Sequence, residues 1–138
     1  MALRSLTPAV RAFLESMRIP CVISTLRADG SPITSATLFA LAGDDIVVST
    51  PRAHTKARNV SRDPRVSFIV DAKERPYRGV AIEGAALLED DEDGALLQLI
   101  VERYALPQDG AAMRARLRAR GERVILRIVP ERIRPWGL

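Results

Sequence analysis

A small, mostly antiparallel β-barrel with inserted helices, an α+β fold, is what the sequence predicts. Three observations lead there: six short strand-like runs of even length, an Asp-Gly turn between the first two, and helical spacing at the start, after the third run and before the last. Neither an internal repeat nor a low-complexity linker interrupts the 138 residues, so one domain over 1–138 is expected, long enough to bury its own core.

The elements follow in order. Thr7-Pro8 reads as a helix start, because a hydroxyl caps free amides and proline is already set for the first helical position. Val10, Phe13, Leu14 and Met17 then recur at helical spacing, up to Pro20. "CVISTLR" and "PITSATLFAL" are β-rich runs joined through Asp29-Gly30, where a tight primed turn needs positive φ. "AGDD" turns into "DIVVST", giving three antiparallel strands in sequence. Over 51–63 the alternation is lost, and Ala53, Lys56, Ala57 and Val60 suggest one short helix closed by Asp63-Pro64. "RVSFIVDA" resumes a strand, "KERPYRG" is a polar link, and "VAIEGAALLED" reads as a longer strand with Gly84 at a bulge or close approach. Asp91 to Asp93 offer caps for an apolar stripe of Leu96, Leu97, Ile100, Val101 and Tyr104. "AAMRARLRARG" is helical by propensity, with Gly121 as a stop. "RVILRIVP" is the last strand and "ERIRPWGL" a tail.

The composition excludes several classes of function. At 47% hydrophobic and 28% charged the chain is globular, not disordered. Its apolar runs fall short of a bilayer span, and with no export signal visible a cytoplasmic location is expected. The one cysteine, Cys21, allows no internal disulfide, and the one histidine, His54, is a thin basis for a metal site or a Ser-His-Asp arrangement. The acidic run "EDDEDG" precedes an apolar helix and reads as capping, so no metal is expected. GxGxxG and GxxxxGK are both missing from the sequence. A net charge of +4 and a pI near 10.0 favour anionic partners without choosing among them.

One stretch concentrates that charge. In "STPRAHTKARNVSRDP", Ser49 and Thr50 end a strand, and Lys56 and Asn59 follow at the start of a helical segment. Hydroxyls, a lysine and helix N-terminal amides converging in this way make a phosphate site. On spacing alone, a solvated basic helix is the stronger account. Strand alternation also puts Ile33, Ser35, Thr37 and Phe39 on one face, two polar side chains flanked by two apolar ones. That suits a groove, with cross-strand hydroxyl pairing as the alternative.

The order of motifs along the chain adds to this. "T-L-R-x-D-G-x-P", a hairpin, "D-x-I-x-x-S-T", "K-A-R-N" and "D-P-R-V-S" are followed by a strand with "E-G-A-A" and a terminal "V-P-E-R-I-R-P-W". The whole resembles the pyridoxamine 5'-phosphate oxidase-like split β-barrel superfamily, and within it the flavin/deazaflavin oxidoreductases that use coenzyme F420, an 8-hydroxy-5-deazaflavin. The resemblance implies a homodimer with the cofactor in a groove between two six-stranded barrels. It matches Ser49, Thr50, Lys56 and Asn59 to the cofactor phosphate, with Arg52, Ala57 and Arg58 close by. Ser35, Ala36 and Thr37 match the strand that lines the ring. Tyr77 and Arg78 match a segment reaching over from the second subunit, and Arg132 and Trp136 match the groove's closing end.

Hydride transfer from a deazaflavin to a small electrophile needs little from the protein beyond position and electrostatics, which agrees with so sparse a catalytic inventory. Tyr77, His54 or a water is then the candidate proton source. Flavin mononucleotide (FMN) in the same groove is the alternative cofactor; the longer anionic tail of F420 agrees better with a basic chain. A non-catalytic binder of flavin, deazaflavin or haem is a second alternative. Arg114, Arg116, Arg118 and Arg120 spread over more than one helix face without aromatic platforms, so nucleic acid is not an expected partner.

Overall fold

A computed structural model describes residues 5–138. Helix α1 (Pro8–Ser16) starts as its sequence requires, with the Val10 amide donating to Thr7 Oγ1 at 3.2 Å. Its apolar side, Val10, Phe13 and Leu14, is buried in the main core. Strands β1 (Cys21–Leu26) and β2 (Pro32–Thr37) form a hairpin with Cys21 opposite Thr37. Gly30 has φ +85, but no non-glycine described residue has positive φ, so this turn is not the primed type.

The run "PITSATLFAL" is not one strand. It divides at Leu38-Phe39 into β2 and a short β3 (Ala40–Ala42), which pairs only with β4 (Asp45–Pro51). The sheet therefore has seven strands, not six, in the order β2-β1-β5-β6-β7-β4-β3. Two strands adjacent in sequence lie at its opposite edges. Phe39 explains the break: it is fully buried, edge-on to Phe68 at 5.2 Å between ring centroids, and Ala40 after it is buried too, so alternation stops there. The expected three-strand meander gives way to two hairpins, β1-β2 and β3-β4, joined by a chain that crosses from edge to edge.

Helix α2 (Thr55–Arg62) is capped by Asp63 and packs against β1, β4, β6 and β7. Strands β5 (Arg65–Asp71) and β6 (Gly79–Glu89) pair along their length. The expected irregularity at Gly84 is present as a register shift between Glu83 and Gly84 against β7. Helix α3 (Ala95–Tyr104) is capped by two of the three acids in the expected run: Asp93 accepts from Ala95, and Asp91 accepts from Leu96 and Leu97. A turn of 3-10 helix (Pro107–Asp109) leads into α4 (Gly110–Arg118).

The supposed tail belongs to β7 (Arg123–Trp136), which stays paired with β6 as far as Gly79 opposite Trp136. Pro130 and Pro135, with Glu131, Arg132 and Arg134 between them, disguise it. Ile133 is nevertheless fully buried, and Arg132 and Arg134 both reach Glu83 across the ladder.

Candidate functional site

Ser49 and Thr50 close β4, opposite Ile125 and Val124 of β7. The Arg123 guanidinium folds back over this pair of strands. Its Nε donates to Ser49 Oγ at 2.8 Å, and its other nitrogens donate to the carbonyls of Ser49 (3.1 Å) and Leu117 (2.7 Å). Ser49 keeps its own hydroxyl proton to donate elsewhere. Thr50 is 2% exposed, and its Oγ1 has no hydrogen-bond partner.

From Pro51 the chain turns into α2, the His54 amide donating to the Pro51 carbonyl at 3.0 Å. His54 occupies the N-cap position without bonding a helix amide, which leaves first-turn donors open to a ligand. Within the first turn, Lys56 is half-buried. Burial depresses its ammonium below the ordinary lysine value, and the charges of Arg120 and Arg123 depress it further. His54 is also held low, by desolvation and by Lys56, Arg120 and Arg123. Burial, then Arg120, lowers Arg123.

These groups share one cleft of about 320 Å³. Ala36, Thr37, Ser49, Thr50, His54 and Lys56 supply one part of its lining, Arg120 and Arg123 another, and Leu97, Ile100 and Leu117 an apolar part. No carboxylate lines it among the described residues. A second cleft, of about 390 Å³, shares His54 and Lys56 and adds Thr25, Ile33 and Ser35. Ile33, Ser35 and Thr37 all lie on the half-buried face of β2. The two clefts thus continue one another along an edge strand, with Lys56 where they meet.

Like charges half out of water repel one another and lose hydration, so a cluster without a carboxylate is a costly arrangement in the empty protein. An anion removes that cost. The unpartnered Thr50 hydroxyl, the free proton of Ser49 and the first-turn amides of α2 are the donors a phosphate takes, so these residues fit the phosphate end of a flavin-type cofactor.

The other sequence-predicted residues stand elsewhere. Arg52 pairs with Asp90 and, at 3.6 Å, with Glu122. Ala57 is buried and Arg58 is exposed, outside both clefts. Asn59 is 4% exposed and engaged at both ends: Nδ2 donates to Thr25 Oγ1 at 3.0 Å, and Oδ1 accepts from Arg62 at 2.8 Å. Tyr77 is 62% exposed, and neither it nor Arg78, which stacks over Phe13, lines a cleft. Arg132 bonds Glu83, and Trp136 packs on Gly79. Sequence reasoning missed Arg120, Arg123 and the apolar lining from α3 and α4. The available signal was a pair of arginines bracketing Gly121 at the mouth of the last strand, which becomes informative only once β7 is paired with β4.

Comparison with known proteins places this geometry among relatives. The profile of the family described as pyridoxamine 5'-phosphate oxidase matches residues 6–137. No curated protein sequence matches. Among solved structures, a conserved hypothetical protein from Mycobacterium tuberculosis superimposes with a TM-score of 0.79 at 27% identity, over 94% of this chain and 84% of the other. A protein described as an F420 reductase gives 0.70 at 26% identity, over 88% and 94%. The haem storage protein of Vibrio cholerae gives 0.71 at 18% identity, over 94% of both chains, which shows a common fold.

Proposed function

The chain belongs to the pyridoxamine 5'-phosphate oxidase family, and on that premise we propose that it is an oxidoreductase passing hydride from reduced coenzyme F420 to a small electrophilic substrate. When bound, the deazaflavin supplies the hydride-carrying carbon. The protein's part is to hold it and to manage one proton.

Lys56, with the hydroxyls of Ser49 and Thr50 and the first amides of α2, binds the phosphate. Ser35, Ala36 and Thr37 present the edge of β2 to the ring. His54, held below its ordinary value first by desolvation and then by the charges of Lys56, Arg120 and Arg123, serves as an N–H donor rather than as an acid. Tyr77 is the proton source, brought over the groove from a second copy of the chain. In its own copy it is exposed and apart from both clefts, which supports a homodimeric site.

The observation that carries this reading is the half-buried Lys56 beside an unpartnered, buried Thr50 hydroxyl in a cleft without a carboxylate. The similarity to an F420 reductase over most of both chains supports the choice of cofactor. Titration of the purified protein with F420 and with FMN, each followed by its own fluorescence, tests it. Saturable binding is expected for both, tighter for F420. Tight binding of FMN with none of F420 would move the function to flavin chemistry.

A further inference from the structure

Arg120, in the link between α4 and β7, and Arg123, at the start of β7, line the same cleft as Lys56 but come from a distant part of the chain. Arg123 is fixed by three hydrogen bonds, to Ser49 and to the Leu117 carbonyl. Those leave part of its five-donor fork open. Arg120 is exposed and forms no ion pair among the described residues; Asp91, Glu92 and Glu122 line an adjoining groove that takes in Arg123 but not Arg120. Two of those carboxylates are engaged elsewhere: Asp91 accepts the amides of Leu96 and Leu97, and Glu122 faces Arg52. Arg114, by contrast, is bonded to Gln98, and Arg118 lies against Gly94.

The cleft therefore holds three cations and a helix N-terminus. A single phosphate carries at most about two negative charges and neutralises only part of that set. We propose that Arg120 and Arg123 form a second anion subsite at the α4–β7 corner, which takes a further carboxylate or phosphate of the same ligand and makes the cleft prefer polyanions to monophosphates. In assigning that ligand as F420, whose tail carries glutamate carboxylates, the inference rests on the function proposed above. The subsite itself does not.

Calorimetric titration separates the two. The probes are orthophosphate, tripolyphosphate, FMN and F420 bearing several glutamates, each against the wild type, Arg120→Gln and Arg116→Gln. Arg116 is exposed on α4 and lines neither cleft, so it controls for overall charge. Arg120→Gln is expected to weaken tripolyphosphate and F420 by about tenfold and orthophosphate and FMN by less than about twofold, with an unchanged ligand-free melting temperature. An equal loss for all four probes, an equal loss in Arg116→Gln, or an unweakened tripolyphosphate would each overturn the subsite. If F420 fails to bind the wild type while tripolyphosphate still depends on Arg120, the subsite stands and the cofactor assignment falls.

Discussion

Replacing Asn59 by alanine tests whether this residue serves the fold or the ligand. Its amide links β1 to α2, donating to Thr25 Oγ1 at 3.0 Å and accepting from Arg62 at 2.8 Å. Thr25 is itself 2% exposed, so truncation strands a buried hydroxyl at a cost of about 1–3 kcal/mol. The space left by the amide adds about 1 kcal/mol. Arg62 is exposed and recovers its hydration. The expected loss is about 2–4 kcal/mol, which in a domain of this size lowers the melting temperature by about 8–15 °C. Melting followed by circular dichroism, with and without ligand, reads the effect. The double variant Asn59→Ala, Thr25→Val removes the stranded hydroxyl and is expected to regain about 1–2 kcal/mol. An Asn59→Ala melt within about 2 °C of wild type, with ligand affinity lost, would refute this reasoning and return Asn59 to the phosphate.

Three further predictions follow from single residues. Lys56→Met is expected to weaken phosphate-bearing ligands by about tenfold to a hundredfold while raising ligand-free stability. A depressed lysine means that the unfolded chain binds more protons, so the wild type gains stability as pH rises through the lowered value toward 10.5, and the variant loses that slope; urea titrations at several pH values check both. Gly84→Ala sets a Cβ well inside contact distance of the Val129 carbonyl oxygen, which is backbone and cannot swing aside; a loss of about 2–4 kcal/mol in chemical denaturation is expected, and a neutral result would mean that the bulge relaxes freely. Burial pushes the Cys21 thiol up to about 12 from 9.0, so its contribution to stability is complete below pH 9 and lost as pH rises toward 12; iodoacetamide at pH 8 should label it only after unfolding, and rapid native labelling would contradict its burial.

Local signals carried well where a backbone requirement had to be met locally. Gly84 is forced by the closeness of β7, and Asp63-Pro64 stops a helix whatever surrounds it. Leu38-Phe39 carried no such mark. Apolar residues continue through it, and only the partners of β2 and β3 reveal that the chain changes edges. Asn59 shows the same limit in the site: its motif matches a phosphate contact, while its bonding is decided by Thr25 on β1. Arg123 depends on a seam between β4 and β7 whose strands lie more than seventy residues apart, 74 between Ser49 and Arg123. Side chains at such separations meet because of topology, which spacing along the chain does not encode.

That seam has a consequence for how the protein matures. A nascent chain leaving the ribosome carries Lys56, Ser49 and Thr50 early, yet the bond from Arg123 to Ser49 waits for β7, 74 residues further along the chain. Pairing across so long a loop is the slow kind of contact to form. Completion of this corner is then a late event in the formation of the fold. If the proposed ligand binds, its anion would act as a late clasp across the seam, favouring the folded chain over intermediates in which β7 is not yet paired.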